Sequence, residues 1–266
     1  MAKEVMTHDL QARHLTAGYE EKTVLQDMNI QIPAGKFSVL LGPNGCGKST
    51  LLKSFARLLK PSEGGIYLDG KAIDHMPTRQ LAREIGLLPQ SPVVPEGITV
   101  ADLVARGRFP YQNMFGQLKK EDYCVIASSM EAMGIADLAR MPVDALSGGQ
   151  RQRVWIALAL AQDTDILLLD EPTTYLDIAY QVEILDCLAK LNRARKTTIV
   201  AILHDINLSI RYADHIFAMK KGKLVAEGSP GDIITTDLIR EVYGMDSSIL
   251  IDPETGDPYV IPRSVA

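Results

Sequence analysis

The densest chemistry in the sequence lies at Gly42-Pro43-Asn44-Gly45-Cys46-Gly47-Lys48-Ser49-Thr50, which fits the spacing G-x-x-x-x-G-K-[ST]. Glycines there let consecutive backbone N–H groups turn inward around a β-phosphate that side chains would keep away. A helix opening near Lys48 would aim its positive end at the same anion. Lys48 then reaches the β- and γ-phosphates and the Ser49 hydroxyl ligates Mg²⁺, so ATP with Mg²⁺ is the expected ligand. Further on, the apolar run Ile166–Leu169 ends in Asp170 and Glu171. Asp170 suits the water shell of Mg²⁺, and Glu171 suits a general base that orients an attacking water. Gln90 follows Ile85-Gly86-Leu87-Leu88, and His204 follows Ile199–Leu203. The tips of parallel strands meet at one ligand crevice. The loop, Asp170, Glu171, Gln90 and His204 are therefore expected around one γ-phosphate.

A second feature is Leu146-Ser147-Gly148-Gly149-Gln150. Ser147 with Gln150 three residues on is a capping box that starts a helix running to Ala161. Two glycines in a first turn cost about 1 kcal/mol each relative to alanine. A sequence that carries them has a use for bare backbone N–H groups at a helix start, where an anion sits well.

These residues need a frame. Leu10–Thr16 and Val24–Ile32 look like strands around a turn near Gly18, and Phe37–Leu41 like a buried strand. Lys48–Leu59 has helical spacing and is expected to stop at Lys60-Pro61. Asp69-Gly70 is a hairpin signal. From about Ser91 to Ala161 helices dominate: Val100–Arg106, Glu121–Met133 and Gln150–Ala161. The strands Ile166–Leu169 and Thr198–Leu203 then flank a long helix, Ile178–Arg193. Alternation of this kind gives a parallel sheet with crossover helices, an α/β fold.

The 266 residues carry 28 Lys and Arg against 33 Asp and Glu, a net charge of -5. That balance gives no basic footprint, so no nucleic-acid partner is expected. With 46% hydrophobic and 23% charged residues the chain has a globular composition. No run of about 20 apolar residues occurs, and residues 1–10 lack an apolar signal core. Cys46, Cys124 and Cys187 have no metal-ligand spacing and read as reduced thiols, consistent with the cytosol.

Taken together, Gly42–Thr50, Gln90, Leu146–Gln150, Ile166–Glu171 and His204 closely resemble the ATP-binding-cassette ATPases over nearly the whole chain. The resemblance implies a single nucleotide-binding domain over 1–266. Its parts would be a RecA-like mixed, mainly parallel sheet with an N-terminal antiparallel β subdomain (1–90 plus 162–266) and a helical insertion (91–161). It further implies a head-to-tail dimer, with Ser147, Gly148, Gly149 and Gln150 of one copy closing over ATP in the loop of the other. Tyr19 matches the aromatic that stacks on adenine, and Asp177 the loop that communicates between the two sites. Gln90 would ligate Mg²⁺ and sense a membrane partner, and His204 would contact the γ-phosphate. Ala105–Tyr111, Leu203–Leu208 and Asp252–Gly256 look like the ATPases of iron-siderophore, haem and cobalamin importers. That likeness implies separate transmembrane permease subunits, indirectly a substrate-binding protein, and a peripheral place on the cytoplasmic face of the cell membrane. A cassette exporter and a soluble assembly ATPase, as in iron–sulfur cluster assembly, remain alternatives.

Overall fold

Leu10, Ala12, Leu15 and Ala17 are buried along the first strand while Arg13 and His14 are exposed, the side-chain alternation that places one strand face on a core. The computed structural model describes residues 8–20, 22–90, 94–174 and 176–265. Ser91 and Tyr175, with residues 1–7 of the N-terminal stretch, lie outside the described residues. Strand β1 (Leu10–Tyr19) pairs antiparallel with β2 (Lys22–Ile32), from Leu10 opposite Ile32 to Tyr19 opposite Lys22. The turn expected near Gly18 therefore lies later. Gly18 pairs with Thr23 within the strand, where a Cβ would meet the Lys22 carbonyl oxygen at 2.0 Å, and Glu20 turns with φ 50°.

Strand β3 (Phe37–Leu41) is buried at every position and leads to α1 (Lys48–Phe55). This helix stops short of the expected Leu59. Arg57 takes φ 55°, and Leu58, within the expected helix, is 67% exposed. Strands β4 (Glu63–Leu68) and β5 (Lys71–Ala72) turn at Asp69 and Gly70, whose φ values of 51° and 75° suit the expected two-residue hairpin. Strand β4 pairs antiparallel with β1.

Next come α2 (Thr78–Glu84), β6 (Ile85–Leu88), α3 (Val100–Ala105), α4 (Lys120–Ala132), α5 (Gly148–Ala161), β7 (Ile166–Asp170) and α6 (Ile178–Arg195). Strands β6 and β7 run parallel, and α3 and α4 pack on α5. The last stretch holds β8 (Thr198–Ile202), α7 (Ile206–Tyr212), β9 (His215–Lys220), β10 (Lys223–Gly228), α8 (Pro230–Ile233), α9 (Thr236–Tyr243), β11 (Met245–Ile251) and β12 (Pro258–Val265). Strand β3 is parallel to both β8 and β9, while β10 is antiparallel to β9.

By contacts the chain divides into two compact units, residues 76–197 and residues 8–75 with 198–265. The family resemblance implies a helical insertion over 91–161. The contact boundaries differ because β6 and β7 pair with each other and α5 packs on β6, within the unit that holds the helices. Among the described residues no helix is long and apolar enough to cross a membrane.

Candidate active site

The nucleotide loop belongs to the unit of 8–75 and 198–265, between β3 and α1. Gly42 takes φ 150°, and a Cβ on it would meet the Met219 carbonyl oxygen at 2.3 Å and Cys46 Sγ at 2.8 Å. No larger residue fits. Gly47 takes φ 109° at the N-cap of α1, where a Cβ would press on Leu25. Lys48 is buried, and its Nζ donates to the carbonyls of Gly42 at 2.7 Å and Pro43 at 3.0 Å. The Gly222 N–H, in the turn between β9 and β10, donates to the Cys46 carbonyl at 2.9 Å. Ser49 and Thr50 lie in the first turn of α1, with Ser49 half-buried. Pro43 is half-buried, and Asn44 and Gly45 are exposed at the tip of the loop.

Two further expected residues share this unit. Tyr19, 44% exposed at the end of β1, has the Lys53 ammonium 5.7 Å from its ring centre. His204 is exposed in the bend between β8 and α7, next to Asp205, whose carboxylate accepts from the Leu208 N–H at 2.8 Å and caps α7.

The unit of residues 76–197 carries the carboxylates. Asp170, 3% exposed, ends β7, and Glu171 follows at φ 56°. A left-handed backbone at a non-glycine residue is strained and turns the chain sharply off the strand. The Glu171 carboxylate accepts from Gln90 Nε2 at 2.8 Å and from Thr174 Oγ1 at 3.0 Å. The pairing of Gln90 with Glu171 is what strand-tip reasoning requires of two parallel neighbours, β6 and β7.

The helix start at Ser147 is built as expected. Ser147 Oγ accepts from the Gln150 N–H at 3.3 Å, and Gln150 Oε1 accepts from the Ser147 N–H at 3.1 Å. Ser147, Gly148 and Gln150 are exposed and Gly149 is half-buried. A groove of about 390 Å³ joins Ser147, Gly149 and Gln150 to Leu176, Asp177 and Tyr180. Asp177, the N-cap residue of α6, thus opens onto the same groove as Ser147 and Gly149.

Several contributors were not legible in advance. Gln152 on α5 donates from Nε2 to the Pro172 carbonyl at 2.7 Å, tying this helix to the turn that carries Glu171. Thr174 holds the Glu171 carboxylate, and Tyr243 Oη accepts from the Gly42 N–H at 3.1 Å. Their pattern in sequence gives no signal, since each acts through a neighbour that only folding brings close.

A mixed α/β frame with a phosphate cradle, a strand-end acid pair and an exposed glycine helix start is compatible with known proteins over most of the chain. Residues 25–174 match the family described as ABC transporter. The chain is 49% identical over 253 residues to the ferric enterobactin transport ATP-binding protein FepC of Escherichia coli (strain K12), covering 95% of this chain and 93% of that protein. It is 51% identical over 251 residues to the achromobactin transport ATP-binding protein CbrD of Dickeya dadantii (strain 3937), covering 94% and 93%. Among solved structures, an inward-facing metal-chelate type ABC transporter matches at a TM-score of 0.82 and 28% identity, covering 97% of this chain and 98% of that one. The dimeric ABC transporter cassette MJ0796 matches at 0.73 and 29% identity, covering 83% and 98%. The chain belongs to the ABC transporter family of ATP-binding subunits and is an ATPase of that family.

Proposed function

We propose that this chain energises uptake of a ferric siderophore, as a head-to-tail pair on the cytoplasmic face of the cell membrane beneath a separate permease fed by a substrate-binding protein. The observation that carries the substrate class is the identity of about half of all residues, across nearly the full chain, with proteins named for ferric enterobactin and achromobactin transport. In this reading the loop N–H groups beyond Pro43 hold the phosphates of ATP, Lys48 takes the β- and γ-phosphate charge, and Tyr19 stacks on adenine. The cradle geometry of Gly42 and Gly47 fits an anion, and the oxygen donors Ser49, Asp170 and Gln90 fit a hard cation. Mg²⁺ held by them would neutralise charge on the phosphate oxygens. Glu171 accepts a proton from the attacking water and turns it toward the γ-phosphate. The hydrogen bond from Gln90 and that from Thr174 fix which way its carboxylate faces. His204 steadies the γ-phosphate. Between the reciprocally capped Ser147 and Gln150, Gly148 and Gly149 present bare N–H groups to the nucleotide of a second copy, and Asp177 lies beside them to sense it.

Glu171→Gln keeps the shape and removes the base. It should bind MgATP like the wild type, lose at least about 100-fold in phosphate release, and accumulate as a dimer on gel filtration. Wild-type turnover in this variant would remove Glu171 from the role of base. Deleting the gene and measuring uptake of radioiron on a panel of siderophores tests the substrate. Loss of one chelate supports the reading. Unchanged uptake of every chelate, or recovery of soluble partners alone from native membranes, sinks it and favours an assembly ATPase.

A further inference from the structure

The nucleotide loop is held at its first residue by a side chain from 201 residues away. The Gly42 N–H donates to Tyr243 Oη at 3.1 Å, and the Gly42 carbonyl accepts from Lys48 Nζ at 2.7 Å. One peptide residue thus links a tyrosine in α9 to the phosphate-binding lysine. We propose that Tyr243 is a positioning residue of the nucleotide loop, fixing the Gly42 backbone whose carbonyl orients the Lys48 ammonium. This rests on reading Gly42–Thr50 as the ATP cradle.

Three observations support a specific role over a filler. Gly42 is buried where the loop leaves β3, and a buried N–H there needs a partner that the backbone does not supply. Its backbone has no freedom to find another, because φ is 150° and the Met219 carbonyl fills the place of a Cβ. Tyr243 is also placed with precision. Helix α9 is capped by Thr235, whose Oγ1 accepts from the Leu238 N–H at 3.1 Å, and is anchored by buried Leu238, Ile239 and Val242. It ends at Gly244 with φ 65°, leaving Tyr243 as the last helical residue. A phenol suits the task. Burial pushes its pKa up to about 12, so no negative charge stands beside a site for phosphates.

The experiment is calorimetric titration of the full chain with MgATP at a temperature where every variant is folded, together with ATP turnover. Tyr243→Phe keeps the ring and removes only the acceptor. Its Kd should rise about five- to tenfold, the factor one lost hydrogen bond carries, while turnover at saturating ATP stays within about twofold. Ile239→Val trims the same helix without touching Gly42; it should lower the unfolding midpoint and leave the Kd alone. Lys48→Ala separates this proposal from the reading beneath it. If Lys48→Ala binds MgATP normally, the cradle reading fails. If Lys48→Ala is impaired but Tyr243→Phe binds as the wild type, Tyr243 has no positioning role. If Ile239→Val weakens binding as much as Tyr243→Phe, the effect is one of stability alone and the proposal is overturned.

Discussion

Two helix starts in this chain carry glycines and leave backbone N–H groups at their openings, yet they are built in opposite ways. At Gly42–Lys48 the backbone is locked. Two glycines take positive φ with a neighbour in the place of a Cβ, Lys48 and Gly222 satisfy loop carbonyls, and Tyr243 takes a loop N–H. At Ser147–Gln150 the glycines have ordinary backbone angles, and a Cβ on Gly148 would meet nothing within 4 Å. The first pair of glycines is explained inside the chain. The second is not, although each lowers helix stability relative to alanine. On the proposed function, the nucleotide of a second copy supplies the missing reason.

The comparison breaks if the two sites respond alike to added atoms. Gly42→Ala should destabilise the chain by about 2–4 kcal/mol, because the new methyl collides with a carbonyl and no backbone rotation relieves it. In a chain of this size that lowers the unfolding midpoint by roughly 5–15 °C, and MgATP binding should be lost with it. Gly148→Asp should do the reverse to stability. An acid in the first turn complements the helix dipole by about 0.3–1 kcal/mol, so the melting point should hold or rise. Turnover should nonetheless fall by about tenfold or more, since the carboxylate repels a partner's phosphate. A Gly148→Asp protein that melts early, or that hydrolyses ATP normally, would erase the distinction.

A smaller change sharpens it. Ser147→Ala removes one half of the reciprocal cap seen with Gln150, worth about 1 kcal/mol. The midpoint should drop by about 2–4 °C, with MgATP binding to the intact loop unchanged. Differential scanning calorimetry beside a nucleotide titration reads both.

How much of this was visible in the residues follows from the range of the forces involved. The capping box and the hairpin at Asp69-Gly70 are set by neighbours within four residues, so spacing revealed them, and the loop opening α1 carries its residue types in one contiguous run. The pairing of Gln90 with Glu171 was legible through strand topology. What escaped depends on backbone geometry that residue types do not record. The turn expected near Gly18 falls at Glu20, because strand pairing continues to Tyr19 opposite Lys22 and residue type does not show that register. The helix after the loop was drawn too long, because Leu58 and Leu59 keep helical spacing although Arg57 has left the helix. Tyr243, Gln152 and Thr174 act on the site through hydrogen bonds to groups fixed elsewhere, and residue type alone carries no trace of that.

The two starts also differ in what they expose to chemistry, and Cys46 gives the finest test. It is 3% exposed, and burial raises its pKa above the usual thiol range, with Lys48 only partly offsetting the effect. The thiolate is the reactive form, so iodoacetamide at pH 8 should label exposed Cys124 first and Cys46 slowest. Since the folded thiol keeps its proton longer than the unfolded one, the unfolded chain binds fewer protons as pH climbs past about 8.5. Stability should therefore fall over that range, and Cys46→Ala should remove part of the slope. No ionisable side chain lies in Ser147–Gln150, so Gly148→Asp, whose carboxylate titrates far lower, should leave the alkaline slope as it is. Mass spectrometry of the labelled peptides and melting points between pH 7 and about 9.5 check both halves. Early labelling of Cys46 would mean that the loop opens as readily as the helix start at Ser147, and the contrast between a locked cradle and an open face would fail.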